Sequence, residues 1–413
     1  MLADISSILW IITTIVLIIS SISLSLYLKF PQFKLSKKVK LFDRKRHNDS
    51  IKLLNLTLAS KIGVGSISGI AISIIIGGKG TIFWIWVSSI LLSIMTYLET
   101  KTGIQYREKI GKDVIGGPIV YIKKEISNKL SLLYCFLIIF TYFFAFVLIQ
   151  SNTIIAAFKD VFFINEKTLL LIFIPIIYLS ISKGINAISK TVSLIVPVMG
   201  VLYIIIGIIV IYNNIDLIPN LLLDILKDSI SIRSITTIPL IIGFQRSIFS
   251  NETGMGSTSM VVALSSSTEC KKEAYIQLIG MYFITLVITT ISALIILTTD
   301  YETLGITNLN GIEIINYAVT YHFGSFGIYL SLLIITLFAY STIITCYYYG
   351  DICLKYLFKN KRINFSKIIV IIVIILSAYI RTENIWAIVD IATSLSTLIN
   401  VYAIAKIKDK LKE

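Results

Sequence analysis

The stretch QRSIFSNETGMGS, Gln245 to Ser257, sits in a long apolar region, with ITTIPLIIGF before it and MVVALSS soon after it. An arginine, an asparagine, a glutamate and two glycines stand where an unbroken membrane helix would be apolar. Non-helical backbone inside a bilayer leaves donors and acceptors unpaired at several kcal/mol each, so it persists only where protein, water, ions or a ligand satisfy it. The stretch reads as a helix broken for a purpose.

The chain around it has membrane composition: 413 residues, 56% hydrophobic, 15% charged, mean hydropathy +0.87. That exceeds the apolar content of a soluble domain. Apolar segments long enough to cross about 30 Å of hydrocarbon run near 5–28, 51–77, 81–103, 131–158, 168–182, 187–212, 234–262, 273–299, 325–350, 366–382 and 384–404, which predicts eleven spans. The first is too long for a signal-peptide core and has basic residues after it, not before, so it reads as a retained helix with Met1 outside. Placing the basic block Lys29 to Lys52 in the cytoplasm puts 29 of the 37 Lys and Arg inside, six outside, and Lys61 and Arg246 within spans. The net charge of +14 is thus a topology signal and not a nucleic-acid footprint. The basic tail 405–413 falls in the cytoplasm.

Four cysteines without paired spacing read as free thiols, and two distant histidines offer no zinc site. No nucleophile, metal cluster or paired carboxylate set is expected within the spans. This argues against an enzyme and against any enzymatic cofactor.

With segment 1–28 set apart as an extra helix, ten spans remain, five in 51–212 and five in 234–404. An odd number per half makes the halves enter from opposite faces, as an inverted repeat requires. The first half opens with LASKIGVGSISGIA, Leu58 to Ala71, and the second holds QRSIFSNETGMGS. Paired interruptions of this kind point to a transporter's binding site. At a break one half-helix offers N-terminal amides to an anion and the other offers C-terminal carbonyls to a cation, a layout suited to a zwitterion with alkali ions. Close helix packing is the plain alternative for Gly63, Gly65 and Gly69, but it does not account for Asn251 and Glu252. Arg246 and Glu252 read equally as structural charges, paired with each other or with loop charges near the inner face, as alternatives to direct substrate contact by Arg246.

Several motifs together resemble those of the alanine/glycine:cation symporter family, also called sodium:alanine symporters, over nearly the whole chain. They are Gly63-Val64-Gly65-Ser66-Ile67-Ser68-Gly69, Gly77-Gly78-Lys79-Gly80, Phe83-Trp84, Gly116-Gly117-Pro118-Ile119-Val120-Tyr121-Ile122 and Gln150-Ser151-Asn152. The most specific is Phe244-Gln245-Arg246 followed by Phe249-Ser250-Asn251-Glu252-Thr253-Gly254-Met255-Gly256-Ser257. The resemblance implies an all-α polytopic protein of the leucine-transporter type, a five-plus-five inverted repeat with one extra N-terminal helix, in the cell membrane. It implies sodium-driven, sometimes proton-driven, uptake of a small neutral amino acid resembling alanine or glycine. The substrate residues it implies are Gly63, Val64, Gly65, Ser66, Gln150, Phe249, Ser250, Gly254, Met255, Gly256 and Cys346. For sodium it implies the carbonyls of Ala59, Ile62 and Phe338 with the hydroxyls of Ser341 and Thr342.

Two positions depart from the family pattern. Ser66 stands where the family has Asn, and Thr345-Cys346 stands where it has Gly-Trp. Loss of the indole at Cys346 is expected to empty pocket volume and admit a side chain larger than alanine's. Lys61 beside the first break reads either as snorkelling to the inner face or as a tethered cation that makes sodium dispensable. The competing readings are a sodium-independent or proton-coupled carrier and an amino-acid receptor that does not transport.

Overall fold

Long runs of Ile, Leu, Val and Phe can satisfy their backbone in lipid only by coiling or by closing a barrel, and the spacing here coils. The computed structural model describes residues 2–34, 47–111, 113–231, 238–301, 311–358, 365–380 and 382–412. Helix α1 (Leu2–Tyr27) is followed by α2 (His47–Lys61), α3 (Ser68–Gly77) and α4 (Thr81–Gln105). A short antiparallel hairpin, β1 (Glu108–Ile110) and β2 (Asp113–Ile115), pairs Glu108 with Ile115 and leads to α5 (Pro118–Glu125). Next come α6 (Asn128–Ile139), which runs through a π-helical stretch, Phe140–Phe146, into α7 (Val147–Phe162), then α8 (Glu166–Ser182), α9 (Ile185–Asn213) and α10 (Ile218–Ser229). The later part holds α11 (Ile238–Asn251), α12 (Ser257–Val262) and α13 (Cys270–Tyr282), joined by a second π stretch, Phe283–Ile288, to α14 (Thr289–Leu297). It ends with α15 (Gly311–Phe323), α16 (Ser325–Leu357), α17 (Phe365–Ser377) and α18 (Thr382–Lys406).

Each expected apolar segment coincides with a helix or a broken pair, but eleven crossings are not all met by length and apolarity. Seven helices among the described residues are long and apolar enough to cross a bilayer, or eight with the bent pair over α2 and α3. Helix α8 has 17 residues with Pro175 inside it, α17 has 13, and the segment expected at 234–262 is split into α11 and α12. Residues 234–237, Met1 and Glu413, on which part of the predicted topology rests, lie outside the described residues.

The bundle is apolar outside, and its apolar interior has polar groups set into it. Ile8, Ile15 and Ile19 of α1, Leu171 and Leu179 of α8, and Leu194, Val201 and Ile208 of α9 are exposed, as lipid-facing positions are. The inner side of α4 buries Ser88, Ser93, Thr96, Glu99 and Thr100. Residues near the C-terminus tie down one rim: Lys101 Nζ donates to the Leu411 carbonyl at 2.9 Å and Lys410 Nζ to Glu125 Oε2 at 2.5 Å. The hydrogen bond from Lys410 holds the Glu125 carboxyl below the usual carboxylate range.

Candidate functional site

The first break is a sharp corner. Helix α2 ends at Lys61, Val64–Ser66 form one 3-10 turn, α3 starts at Ser68, and the two halves bend by 69°. Gly63 is where α16 and α7 close on the corner: a Cβ there would lie 2.7 Å from Thr342 Oγ1 and 3.0 Å from Gln150 Nε2, a space only glycine leaves open. Gln150 Oε1 accepts the Val64 N–H at 3.1 Å, and Ser66 Oγ donates to the Gly63 carbonyl at 2.8 Å.

Four of the five residues expected at a cation site meet here. Thr342 Oγ1 lies 2.8 Å from both the Ala59 and Phe338 carbonyl oxygens, and Ser341 Oγ lies 3.0 Å from the Phe338 carbonyl oxygen. A hydroxyl has a single proton, which Thr342 gives to one carbonyl or shares between the two. The result is a close group of hard oxygens drawn from α2 and α16, of the type that alkali and alkaline-earth cations take. Ile62, the fifth, is buried just past α2 with its N–H on the Leu58 carbonyl at 2.7 Å.

The second break unwinds α11 through three positive φ values in five residues: Glu252 at 51°, Gly254 at 85° and Gly256 at 89°. Its freed backbone is met by side chains. The Gly256 N–H donates to Glu99 Oε1 at 2.9 Å, Asn400 Nδ2 donates to the Gly254 carbonyl at 2.8 Å, and Tyr134 donates to the Met255 carbonyl. Gly254, Met255 and Gly256 therefore gather around α4, α6 and α18. The group that meets the α12 N-terminus is the Glu99 carboxyl, an internal side chain.

The two broken helices meet at Phe249. A Cβ on Gly65 would run into the Phe249 ring, which also packs edge-on against Phe146 at 5.2 Å and Trp386 at 5.5 Å. Ser250, next to it, is buried, and its Oγ has no partner among the described residues. Gly63, Val64, Gly65, Ser66, Gln150, Phe249 and Ser250 thus share one neighbourhood. Both π stretches brace it: Phe146 packs on Phe249, and Thr285 Oγ1 accepts from Asn251 Nδ2 at 2.7 Å. Such stretches are frequent at functional sites.

Cys346 is wholly buried, and its electrostatic neighbours are Tyr142, Tyr349 and Glu252. The Tyr142 and Tyr349 rings themselves lie 4.5 Å apart.

The buried charges were read less well from sequence. Arg246 does not pair with Glu252: its guanidinium lies 4.6 Å from the Trp386 ring centre and 3.9 Å from Asp390 Oδ1. Lys61 does not snorkel: it is 3% exposed, with Nζ 2.9 Å from Thr258 Oγ1. Contrary to the expectation of no paired carboxylates, Glu99 and Glu252 both interact with Lys61 and with each other in one buried cluster. Sequence reasoning passed over Glu99, Trp386, Asp390 and Asn400. For Glu99 and Asp390 the signal was present, since each is a carboxylate inside an apolar run, where an ionisable group is costly and marks function.

Two helices broken at a common centre inside a polytopic bundle define a membrane transporter of the leucine-transporter type, not an enzyme. The manganese transporter of Eremococcus coleocola has a similar structure, with a TM-score of 0.60 at 11% identity over 86% of this chain and 76% of that one. The inward-facing conformation of Mhp1 gives a TM-score of 0.50 at 17% identity over 86% and 73%. The chain belongs to the sodium:alanine symporter family, whose sequence model matches residues 1–413. It is 33% identical to the probable sodium/glutamine symporter GlnT of Bacillus subtilis, over 97% of this chain and 86% of that protein. It is 26% identical to the sodium/alanine symporter AgcS of Methanococcus maripaludis, over 82% and 77%. This protein is accordingly an amino-acid transporter.

Proposed function

We propose that the protein carries a neutral amino acid into the cell together with sodium. The observation that supports this most directly is the group of oxygens from Ala59, Phe338, Ser341 and Thr342 placed against the Gly63–Ser66 corner, so that cation and substrate would share one broken helix. In this reading Gly63, Val64, Gly65, Ser66 and Gln150 hold the backbone of the amino acid, and Phe249 and Ser250 close over it. Gly254, Met255 and Gly256 keep the second break in shape through Glu99, Tyr134 and Asn400. The relatives' names span alanine and glutamine, so the substrate is a neutral amino acid in that size range. Residues 51–212 and 234–404 act as the two inverted halves, with 1–28 as an added helix and 405–413 as a cytoplasmic tail.

One sodium ion suffices energetically. Moving one charge through about 100 mV gains about 2.3 kcal/mol, and a tenfold sodium gradient adds about 1.4 kcal/mol. Together they hold a zwitterion at roughly a few hundredfold accumulation. The test is uptake of labelled alanine, glycine and glutamine into proteoliposomes under a sodium gradient, a proton gradient or neither. Accumulation that persists when choline replaces sodium would defeat the proposal.

A further inference from the structure

Below the first corner, where α2, α4 and α12 converge, the structure seals one ammonium and two carboxylates from water. Lys61 is 3% exposed, and Glu99 and Glu252 are 0% exposed. Glu252 Oε2 accepts from Ser257 Oγ at 2.5 Å, Tyr142 at 3.1 Å and Ser60 Oγ at 3.2 Å. Glu99 Oε1 accepts from the Gly256 N–H at 2.9 Å and Asn400 Nδ2 at 3.0 Å. The second oxygen of each carboxylate, Glu252 Oε1 and Glu99 Oε2, is buried with no hydrogen-bond partner among the described residues. An ionised carboxylate accepts on both oxygens, and two of them against one lysine leave a net negative charge out of water, at a cost of several kcal/mol.

We infer that Lys61, Glu99 and Glu252 form a proton-binding site, which in this closed arrangement holds one proton more than the same three side chains hold in water at neutral pH. The number does not depend on where the protons sit. An ammonium with one acid and one carboxylate, or a neutral amine with two acids, contains the same two protons, whereas in neutral water the three groups hold only the lysine's. The other titratable groups facing the cluster are Tyr121, Tyr134, Tyr142, Tyr349 and Cys346. All five are neutral at pH 7 in water, which leaves none of them to balance the charge. Among the described residues the other side-chain hydrogen-bond partners of the cluster are uncharged: Ser60 of α2, Ser257 and Thr258 of α12 and Asn400 of α18. Parting α2 from α12 would admit water to the cluster and release the proton, so its occupancy favours the closed arrangement.

The test needs no substrate and no sodium, so it stands apart from the transport proposal. The full chain in detergent is melted from about pH 5 to about pH 9, beside Glu99→Gln, in which a neutral amide replaces the acid. A native state that keeps a proton the unfolded chain has released loses stability as pH rises, by up to tenfold per pH unit in its folding constant. The wild-type melting temperature is expected to fall over this range, and Glu99→Gln to remove one proton's worth of that slope. Equal slopes in the two proteins overturn the inference. Should Glu99→Gln fail to fold, Lys61→Met is read in its place. Loss of the ammonium leaves two carboxyls that must both be protonated to bury no charge, so the fall steepens and runs on to higher pH, and an unchanged fall overturns the inference equally.

Discussion

Thr342→Ala separates a cation ligand from an ordinary interhelical hydrogen bond. Its Oγ1 lies 2.8 Å from the carbonyls of both Ala59 and Phe338, tying α16 to the last turn of α2. As a structural bond it is worth about 0.5–1.5 kcal/mol, and the lost methyl adds about 0.8 kcal/mol, so folding should suffer by about 1–2 kcal/mol. As a ligand to a charged ion the same oxygen is worth about 1.5–3 kcal/mol, which converts to roughly a ten- to hundredfold rise in half-saturating sodium. Thr342→Ser keeps the oxygen and loses the methyl, so it should melt early yet retain most of the sodium affinity. The assay is sodium-dependent uptake of a labelled amino acid in proteoliposomes, paired with melting of each variant in detergent. If Thr342→Ala expresses well and half-saturates at the wild-type sodium concentration, the oxygen is not a ligand and the cation site as built here is wrong.

Three further outcomes follow from the same geometry. Gly65→Ala drives a methyl into the Phe249 ring, which Phe146 and Trp386 hold in place; the overpacking should cost about 1–3 kcal/mol and weaken substrate binding. Unchanged half-saturation for the amino acid would remove Gly65 from the site. Asp390→Asn leaves Arg246 buried without its carboxylate and should destabilise by about 3–5 kcal/mol, whereas replacing both by apolar residues should recover most of the loss; a double variant no better than the single one would show that the pair is not what matters. Lys410 holds the Glu125 carboxyl below its usual range, so this bond stabilises the fold above an unfolded value of about 4.3 and is lost as pH falls through the folded one. Because Lys410 is 60% exposed, Lys410→Ala should cost no more than about 1 kcal/mol at neutral pH, shrinking with salt and vanishing in acid once Glu125 is protonated in the folded chain; an equal difference at neutral and acid pH would rule out this origin.

Membrane class, helical architecture and the positions of both breaks were legible in the sequence, because lipid makes local composition decisive. A charge or a glycine pair inside an apolar run has few permitted meanings, so Gly63–Gly69 and Gln245–Ser257 announced themselves. The proposed cation residues Ala59, Ile62, Phe338, Ser341 and Thr342 are suggested by family resemblance alone, since hydroxyls and carbonyls in a helix carry no mark of what they face. Only the tertiary structure decided how the second break is satisfied. Glu99 and Asn400, about 150 residues to either side of Gly254, reach the backbone of Gly256 and Gly254 through packing that no local pattern encodes. The same holds for charge: Arg246 meets Asp390 and Lys61 meets Glu99 and Glu252 because the last helix and the fourth are folded against the breaks. Local sequence sets where a membrane helix must yield, while partner choice depends on which distant side chains the fold brings within about 3 Å.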